Sequence, residues 1–214
     1  MALSFHYGAG SPFAWRVWLA LEHKRIAYTL RSWSFSSAEL RGPEFTDLNP
    51  RQRVPVVSDE HFRLYESAAI LEYLEDAYPA SGEPLFPGTP RERAIMRRMV
   101  CEADQYFWPP LARLLQRVLF SSEAEWKASK IAASRDECVR ELELRASHMQ
   151  GDFLAGPLSA ADFALYPMVA IAKRCEKKKP DLGLEAAIPI GLRTWMDRIE
   201  RLAYFPKTWP AHWT

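Results

Sequence analysis

The first eighty residues switch repeatedly between the apolar–polar alternation of a strand and the three-to-four-residue apolar spacing of a helix. The predicted elements are a strand at 2–8, a helix at 13–24, strands at 26–35, 54–58 and 61–66, and a helix at 67–78, with a further short helix in the polar stretch before the third strand. This strand–helix–strand–helix–strand–strand–helix order (βαβαββα) is typical of a small α/β unit.

A segment rich in proline and glycine follows this unit. Residues 79–90 contain four prolines and two glycines, a composition typical of a linker. Beyond it the apolar spacing is helical throughout, and no strand pattern returns. The sequence therefore predicts an α/β domain at residues 1–80 and an all-helical domain at residues 90–214.

The overall composition is that of an ordinary soluble protein, with 48% hydrophobic residues, 26% charged residues and a net charge of +1. Such a balance excludes the strongly basic face expected for binding nucleic acid or an anionic membrane surface. The sequence has no membrane-spanning apolar run and no signal-peptide pattern. Its cysteines, Cys101, Cys138 and Cys175, lie far apart and outside any metal or redox spacing. We expect a cytoplasmic location and no metal site.

Ser11 and Pro12 stand where the first helix is predicted to begin. Serine is a favoured N-cap and proline a favoured first helical residue, so the pair is explained by helix capping alone. A hydroxyl at this position also lies beside free backbone N–H groups and the positive end of the helix dipole, where an anion such as a thiolate is favoured. Ser11 is therefore a candidate for both roles, which do not exclude each other.

Two further pairs lie at element boundaries in the same unit. Val54-Pro55 opens a strand without an amide donor, and its peptide bond is expected to be trans unless other information intervenes. A cis bond would leave the Val54 backbone able to pair with an extended peptide ligand. Glu66-Ser67 stands where a helix is predicted to begin, and the first interpretation is that Ser67 caps this helix. The alternative is that Ser67 and the first helical N–H groups bind a ligand carboxylate, while Glu66 accepts from a ligand ammonium.

Taken together, these features resemble the glutathione S-transferase family, and in particular its serine-type cytosolic branches, the tau-, zeta- and theta-like and bacterial members. The resemblance extends over nearly the whole chain and is strongest at residues 11–28, 48–57, 65–76 and 154–167. In the last segment, Ser159 and Asp162 match the family's capping box. The chain departs from the family pattern at Arg25, where glycine usually follows the lysine that ends the first helix.

The resemblance implies a thioredoxin-like N-terminal domain followed by an all-α domain. It also implies transfer of glutathione to a hydrophobic electrophile in detoxification, glutathione as co-substrate, no prosthetic group, and a cytoplasmic homodimer without nucleic-acid or membrane partners. Ser11 would donate a hydrogen bond to the glutathione sulfur. The implied glutathione-binding residues are Val54 beside the family's cis proline Pro55 for the cysteinyl part, Glu66 and Ser67 for the γ-glutamyl end, and Arg53, with Arg41, for the glycyl carboxylate.

Two features of the proposed chemistry stay open at this point. Tyr7, at the end of the first strand, is an alternative catalytic residue because other branches of the family use a tyrosine, although a tyrosine at a strand end more commonly packs. The acceptor site is expected between the domains, and its candidates are Phe13, Tyr106, Phe107 and Trp108. The last three could equally pack the helical core, and Pro109-Pro110 after them are expected to break or kink their helix.

Two alternative functions share the same fold. One is a glutathione-dependent cis–trans isomerase resembling the maleylacetoacetate isomerases, which share the Trp15-Arg16-Val17 triplet and a serine at position 11. Their extra serine and cysteine residues are replaced here by the segment 12–14, which weakens this alternative. The other is a non-enzymatic protein that binds glutathione or a hydrophobic ligand, and the joint presence of all the candidate glutathione residues argues against it.

Overall fold

The computed structural model describes residues 3–35 and 38–213. They form two compact units: one comprises the residues up to Pro87 together with those from Ala203 onward, and the other comprises Gly88–Leu202. The segment from Ala203 onward, which the sequence assigns to the helical domain, thus belongs to the first unit.

The first unit is built on a four-stranded sheet. Its elements are β1 (Leu3–Tyr7), α1 (Pro12–His23), β2 (Tyr28–Ser32), α2 (Pro43–Leu48), β3 (Val56–Ser58), β4 (Arg63–Tyr65) and α3 (Ser67–Ala77). The strand order is β2-β1-β3-β4, with β1 parallel to β2 and β3 antiparallel to both of its neighbours. Because a parallel pair needs a crossover, α1 joins β1 to β2. The predicted thioredoxin-like βαβαββα order is confirmed.

Buried polar contacts hold the C-terminal end of α1 in place. The Lys24 ammonium is 1% exposed and lies 3.0 Å from Glu75, whose carboxylate also accepts the Leu85 N–H at 2.8 Å. A buried charge is tolerated when it is paired and hydrogen-bonded in this way. The next residue, Arg25, has a φ of 51°. The left-handed conformation explains why glycine is usual there in the resembling family, since a side chain makes it strained.

The second unit is helical, as predicted. It contains α4 (Pro90–Glu102), α5 (Trp108–Val118), α6 (Ala128–Ser147), α7 (Ala160–Lys178), α8 (Leu184–Ala187) and α9 (Ile190–Glu200). The predicted capping box is present at the start of α7, where Asp162 accepts the N–H of Ser159 at 2.9 Å. None of the helices within residues 3–35 and 38–213 has the length and apolarity to cross a membrane.

The helix break expected at Pro109 and Pro110 does not occur. Residues Ala103–Phe107 form a π-helical turn that joins α4 to α5, and the N–H of Trp108 donates to the carbonyl of Ala103, five residues earlier. Prolines have no N–H to donate to the preceding turn, and a wider turn just before them accommodates that loss. The helix therefore continues through the two prolines.

The segment from Ala203 onward packs on α1 through aromatic side chains. It contains α10 (Phe205–Thr208) and a single turn at Ala211–Trp213. The Trp15 indole donates to the Thr208 hydroxyl at 2.9 Å, and its ring meets that of Trp213 edge-on at 5.3 Å. Burial of these large rings against α1 explains why the segment belongs to the first unit.

Candidate functional site

Ser11 is the N-cap of α1, as predicted. Its backbone is extended, its Oγ accepts the N–H of Ala14 at 3.2 Å, and Pro12 follows as the first helical residue. No hydrogen bond among the residues that the structure describes uses the hydrogen of this hydroxyl. The Ser11 hydroxyl can therefore cap the helix as an acceptor and still donate to an anion at the positive end of α1.

The Val54–Pro55 peptide bond is cis, so the trans form expected by default is wrong and the form implied by the resemblance is present. Val54 precedes β3, and the sheet register does not include it. A Cβ placed on Gly8 would lie 3.1 Å from Val54 Cγ2, and the carbonyl of Gly8 accepts the N–H of Ser11 at 3.1 Å. Val54 thus lies beside the chain that leads into Ser11.

Glu66, rather than Ser67, occupies the cap position of α3. Glu66 has a φ of 70°, and its carbonyl accepts the N–H of Ile70 at 2.9 Å, whereas its side chain makes no capping bond. Strained backbone at a non-glycine residue often marks a functional site. Ser67 is the first residue of α3 and is 6% exposed. The Glu66 carboxylate is therefore placed to accept from a ligand, next to the N–H groups that begin α3.

Arg16 contacts this site from within the core through Ser67, and the sequence pattern did not reveal that contact. Its side chain is fully buried in α1, donates to Ser67 Oγ at 3.4 Å, and lies over the ring of Phe13 at 5.0 Å. A cation beside the start of α3 adds to the attraction of the helix N-terminus for a carboxylate. One signal was available: Arg16 is a charged residue at the centre of a helix whose other central residues are mostly apolar.

A cleft of about 810 Å³ brings most of the candidate residues together. Its walls include Phe13, Arg53, Val54, Pro55, Glu66 and Ser67. Ser11 is not among the wall residues and lies two positions before Phe13. Arg41 lines a neighbouring cleft, which shares Arg51 and Arg53 with the first. The volume is within the range of small-ligand sites.

The other candidates lie outside this cleft. The Tyr7 ring packs against that of Trp18, with a centroid distance of 4.8 Å, which favours the packing interpretation. In the second unit, Phe107 is fully buried and belongs to that unit's core, so it does not present a surface to an acceptor. Tyr106 is 58% exposed, and Trp108 is half-buried.

Comparison with known proteins gives a consistent result. Residues 10–77 match the family model described as "Glutathione S-transferase, N-terminal domain". The chain is 30% identical to glutathione S-transferase A of Pleuronectes platessa over 97% of this chain and 91% of that protein. It is 31% identical to the maleylacetoacetate isomerase of Mus musculus over 77% and 75% of the two chains. A solved glutathione S-transferase from the Antarctic clam Laternula elliptica, 28% identical, covers 100% of this chain and 94% of its own with a TM-score of 0.82. The chain belongs to the glutathione S-transferase family.

Proposed function

We propose that the chain transfers glutathione to an apolar electrophile and that Ser11 stabilises the reacting thiolate. The observation that carries this proposal is the Ser11 hydroxyl, which accepts from Ala14 and keeps its hydrogen for an anion. A free thiol has a pKa of about 8.5 and is mostly protonated at neutral pH. A hydrogen bond to the charged sulfur, together with the positive end of α1, favours the thiolate. The sulfur then attacks an electrophilic carbon, and the thiol proton passes to solvent.

The cleft supports a specific orientation for glutathione. The Glu66 carboxylate accepts from the α-ammonium, while Ser67 and the first N–H groups of α3 hold the γ-glutamyl carboxylate. The backbone of Val54 pairs with the cysteinyl part, next to Pro55. Arg53, which lines both clefts, meets the glycyl carboxylate. The sulfur is thereby placed toward Ser11, with Phe13 as a wall for the acceptor.

Substitutions at Ser11 and Tyr7 test the catalytic assignment. Ser11→Ala should lower kcat/KM for a chromogenic aryl halide by roughly 100-fold, the usual cost of losing one donor to a developing anion. Tyr7→Phe should leave kcat/KM within about twofold. Ser11→Gly separates the two roles of the serine, since glycine at a cap costs only a few tenths of a kcal/mol while removing the hydroxyl.

The same variants carry their own controls. Titration calorimetry should show glutathione binding at millimolar concentration in the wild type and in Ser11→Ala, and the melting temperature of Ser11→Gly should remain close to that of the wild type. A larger loss in Tyr7→Phe than in Ser11→Ala would move the chemistry to Tyr7. A wild-type protein that does not bind glutathione would contradict the transferase proposal as a whole.

The second candidate function is a glutathione-dependent isomerase, and the similarity to the mouse maleylacetoacetate isomerase favours it. An isomerisable diketo acid in the electrophile panel distinguishes the two, because isomerisation consumes no glutathione. Binding of glutathione without turnover of any electrophile would support the non-enzymatic alternative. We further propose, from family resemblance, a cytoplasmic homodimer, for which sedimentation at micromolar concentration is the test.

A further inference from the structure

The turn at Ala211–Trp213 lies against the residue that precedes Ser11. That residue, Gly10, has a φ of 85°, in the left-handed region that favours glycine. A Cβ placed on Gly10 would lie 3.0 Å from Nε2 of His212 and 3.2 Å from Nε1 of Trp213, so these two side chains cover Gly10 closely. All of these residues belong to the first unit.

The backbone of Ser11 is held on both sides of its side chain. Its N–H donates to the carbonyl of Gly8 at 3.1 Å, which closes the loop before α1. Its carbonyl accepts the N–H of Trp15 at 2.9 Å, which forms the first turn of α1. The direction of the Ser11 hydroxyl therefore depends on two parts of the chain, the loop that contains Gly10 and the helical turn that ends at Trp15.

Trp213 contacts both of these parts. Its ring meets the Trp15 ring edge-on at 5.3 Å, and its indole nitrogen lies over Gly10. Trp213 is 4% exposed, and its backbone N–H donates to the carbonyl of Pro210 at 2.9 Å, so the close packing leaves the ring little room to move. Glycine has the least restricted backbone of all residues, and its conformation depends on what packs around it. Trp213 therefore limits movement of the chain immediately before and after Ser11.

We propose that Trp213 is a positioning residue for the proposed catalytic serine. It acts through Gly10 and Trp15, which hold the Ser11 hydroxyl in the direction of the glutathione sulfur. His212, in the same turn, supports Gly10. The inference rests on the proposed role of Ser11 and adds the part of the chain that keeps its hydroxyl in place. A reacting group displaced by about 1 Å can lose about 100-fold in rate, so a contact that only fixes the neighbouring backbone can affect turnover.

Replacement of Trp213 by alanine tests the inference. With an aryl halide slow enough for carbon–sulfur bond formation to limit turnover, Trp213→Ala should lower kcat by about tenfold. Titration of the ultraviolet absorbance of the thiolate in the glutathione complex should show that the pKa of the bound thiol rises by about one unit toward the free value of about 8.5. The Kd of S-methylglutathione, whose sulfur has no proton to lose, should stay within about twofold, because the residues proposed to bind the peptide part are unchanged.

Trp209→Ala is the matched control for loss of packing. Trp209 lies in the same segment and packs on the same Trp15 ring, at 5.5 Å. The three atoms nearest to a Cβ on Gly10 belong to His212 and Trp213, so this control leaves the cover of Gly10 in place. Trp209→Ala should lower the melting temperature, as Trp213→Ala does, but should leave the pKa of the bound thiol unchanged.

His212→Ala gives a second test that does not depend on a buried ring. The His212 side chain is exposed, so its removal should leave the melting temperature close to that of the wild type. Because the imidazole is one of the two groups that cover Gly10, the pKa of the bound thiol should still rise by about half a unit, and kcat should fall by about threefold.

Three results would overturn the inference. One is an unchanged pKa of the bound thiol in Trp213→Ala; if that variant does not fold, an unchanged pKa in His212→Ala has the same meaning. A second is an equal rise of the pKa in Trp209→Ala, which would assign the effect to loosening of the whole segment. The third is weaker binding of S-methylglutathione with an unchanged kcat. Failure of the proposed function is distinct, because the pKa of the thiol bound to the wild type would then equal the free value, and Ser11→Ala would not change it.

Discussion

His6 shows how one buried residue of β1 responds to its neighbours. The Trp33 indole N–H donates to His6 Nδ1 at 3.1 Å, so the neutral ring carries its proton on Nε2, which lies 2.9 Å from Ser58 Oγ. Burial, together with the nearby Arg31 charge, lowers the pKa of His6 to about 4. The folded protein therefore holds this imidazole neutral well below the pH at which an unfolded chain protonates it.

The lowered pKa of His6 predicts a loss of stability in mild acid. The unfolded chain takes up a proton near pH 6.5 and the folded one near pH 4, so the contribution of His6 is complete above pH 6.5 and is lost as the pH falls toward 4. Between pH 7 and pH 5 the loss amounts to about 2 kcal/mol. Urea unfolding of the wild type and His6→Gln at both pH values measures it.

The comparison with His6→Gln is needed because the free energy of unfolding also depends on the protonation of Asp162, which stabilises the fold as the pH falls, whereas protonation of His6 destabilises it. Burial raises the pKa of Asp162 to about 6, so protonation of that carboxyl favours the folded state as the pH falls from 6 toward 3.8. Asp162 is present in both proteins, and its effect cancels in the difference. If the free energy of unfolding of the wild type exceeds that of His6→Gln by the same amount at pH 7 and at pH 5, the account of His6 is contradicted.

At the residue scale, the sequence revealed the side chains whose role is local. Ser11 lies at a helix start, where a short segment indicates both the cap and the free N–H groups. At the start of α3 the sequence indicated the boundary, but the cap is Glu66 and not Ser67. Arg16 was missed because its partner, Ser67, lies 51 positions away in the chain. Asn49 was missed for another reason: its Nδ2 donates to the carbonyl of Arg53 at 2.6 Å and its Oδ1 accepts the N–H of Arg51 at 2.9 Å, and propensity alone does not reveal the turn that these local bonds hold.

At the scale of elements, the capping residue Asp162 at the start of α7 connects several parts of the helical unit by hydrogen bonds. The Asp162 carboxylate accepts the N–H of Leu154 at 2.9 Å and that of Ser159 at 2.9 Å, together with the Ser159 hydroxyl at 3.0 Å and the Trp195 indole at 2.8 Å. It therefore joins the loop before α7 and helix α9 to the beginning of α7.

Removal of this carboxylate should destabilise the helical unit strongly. Asp162→Ala leaves several buried donors without an acceptor, at about 1–3 kcal/mol for each donor, and we expect a total loss of about 4 kcal/mol. Ser159→Ala removes one cap and should cost about 1 kcal/mol. Asp152→Ala, at an aspartate that is 73% exposed and paired with Arg198, is the control and should cost less than about 1 kcal/mol. Equal denaturation midpoints for Asp162→Ala and Asp152→Ala would contradict this account.

Element types were predicted better than the transitions between them. The order of strands and helices follows from apolar spacing, which each element displays within its own residues. The π-helical turn at Ala103–Phe107 does not follow from spacing, because the sequence shows only that Pro109 and Pro110 lack donors, and a break and a widened turn are both consistent with that lack.

At the scale of the whole molecule, the placement of the segment from Ala203 onward depends on contacts with residues far away in the chain. Apolar spacing shows that Phe205 and Trp209 are suited to burial, but it contains no information about the surface that covers them. In the structure that surface is α1, where Trp15 lies within 6.0 Å of the Phe205 ring and 5.5 Å of the Trp209 ring.

The bond between Trp15 and Thr208 predicts how strongly this segment is held. Thr208→Val keeps the shape of a fully buried side chain but removes the acceptor of the Trp15 indole N–H, and it should cost about 1–3 kcal/mol. Thr194→Val, at an exposed threonine of α9, is the matched control and should change stability by less than about 0.5 kcal/mol. Hydrogen exchange should locate the Thr208→Val effect in α1 and the segment from Ala203 onward, and uniform exchange across the chain would contradict the assignment.

The placement of this segment also determines when its contact with α1 can form during synthesis of the chain. The ribosome makes the sheet and α1 first, then Gly88–Leu202, and only afterwards the residues that cover Trp15. At the usual elongation rate, the intervening stretch takes on the order of ten seconds to translate. During that interval Trp15 in the nascent first unit lacks the rings of Phe205, Trp209 and Trp213 that later pack on it, so an apolar surface of α1 waits for the segment from Ala203 onward.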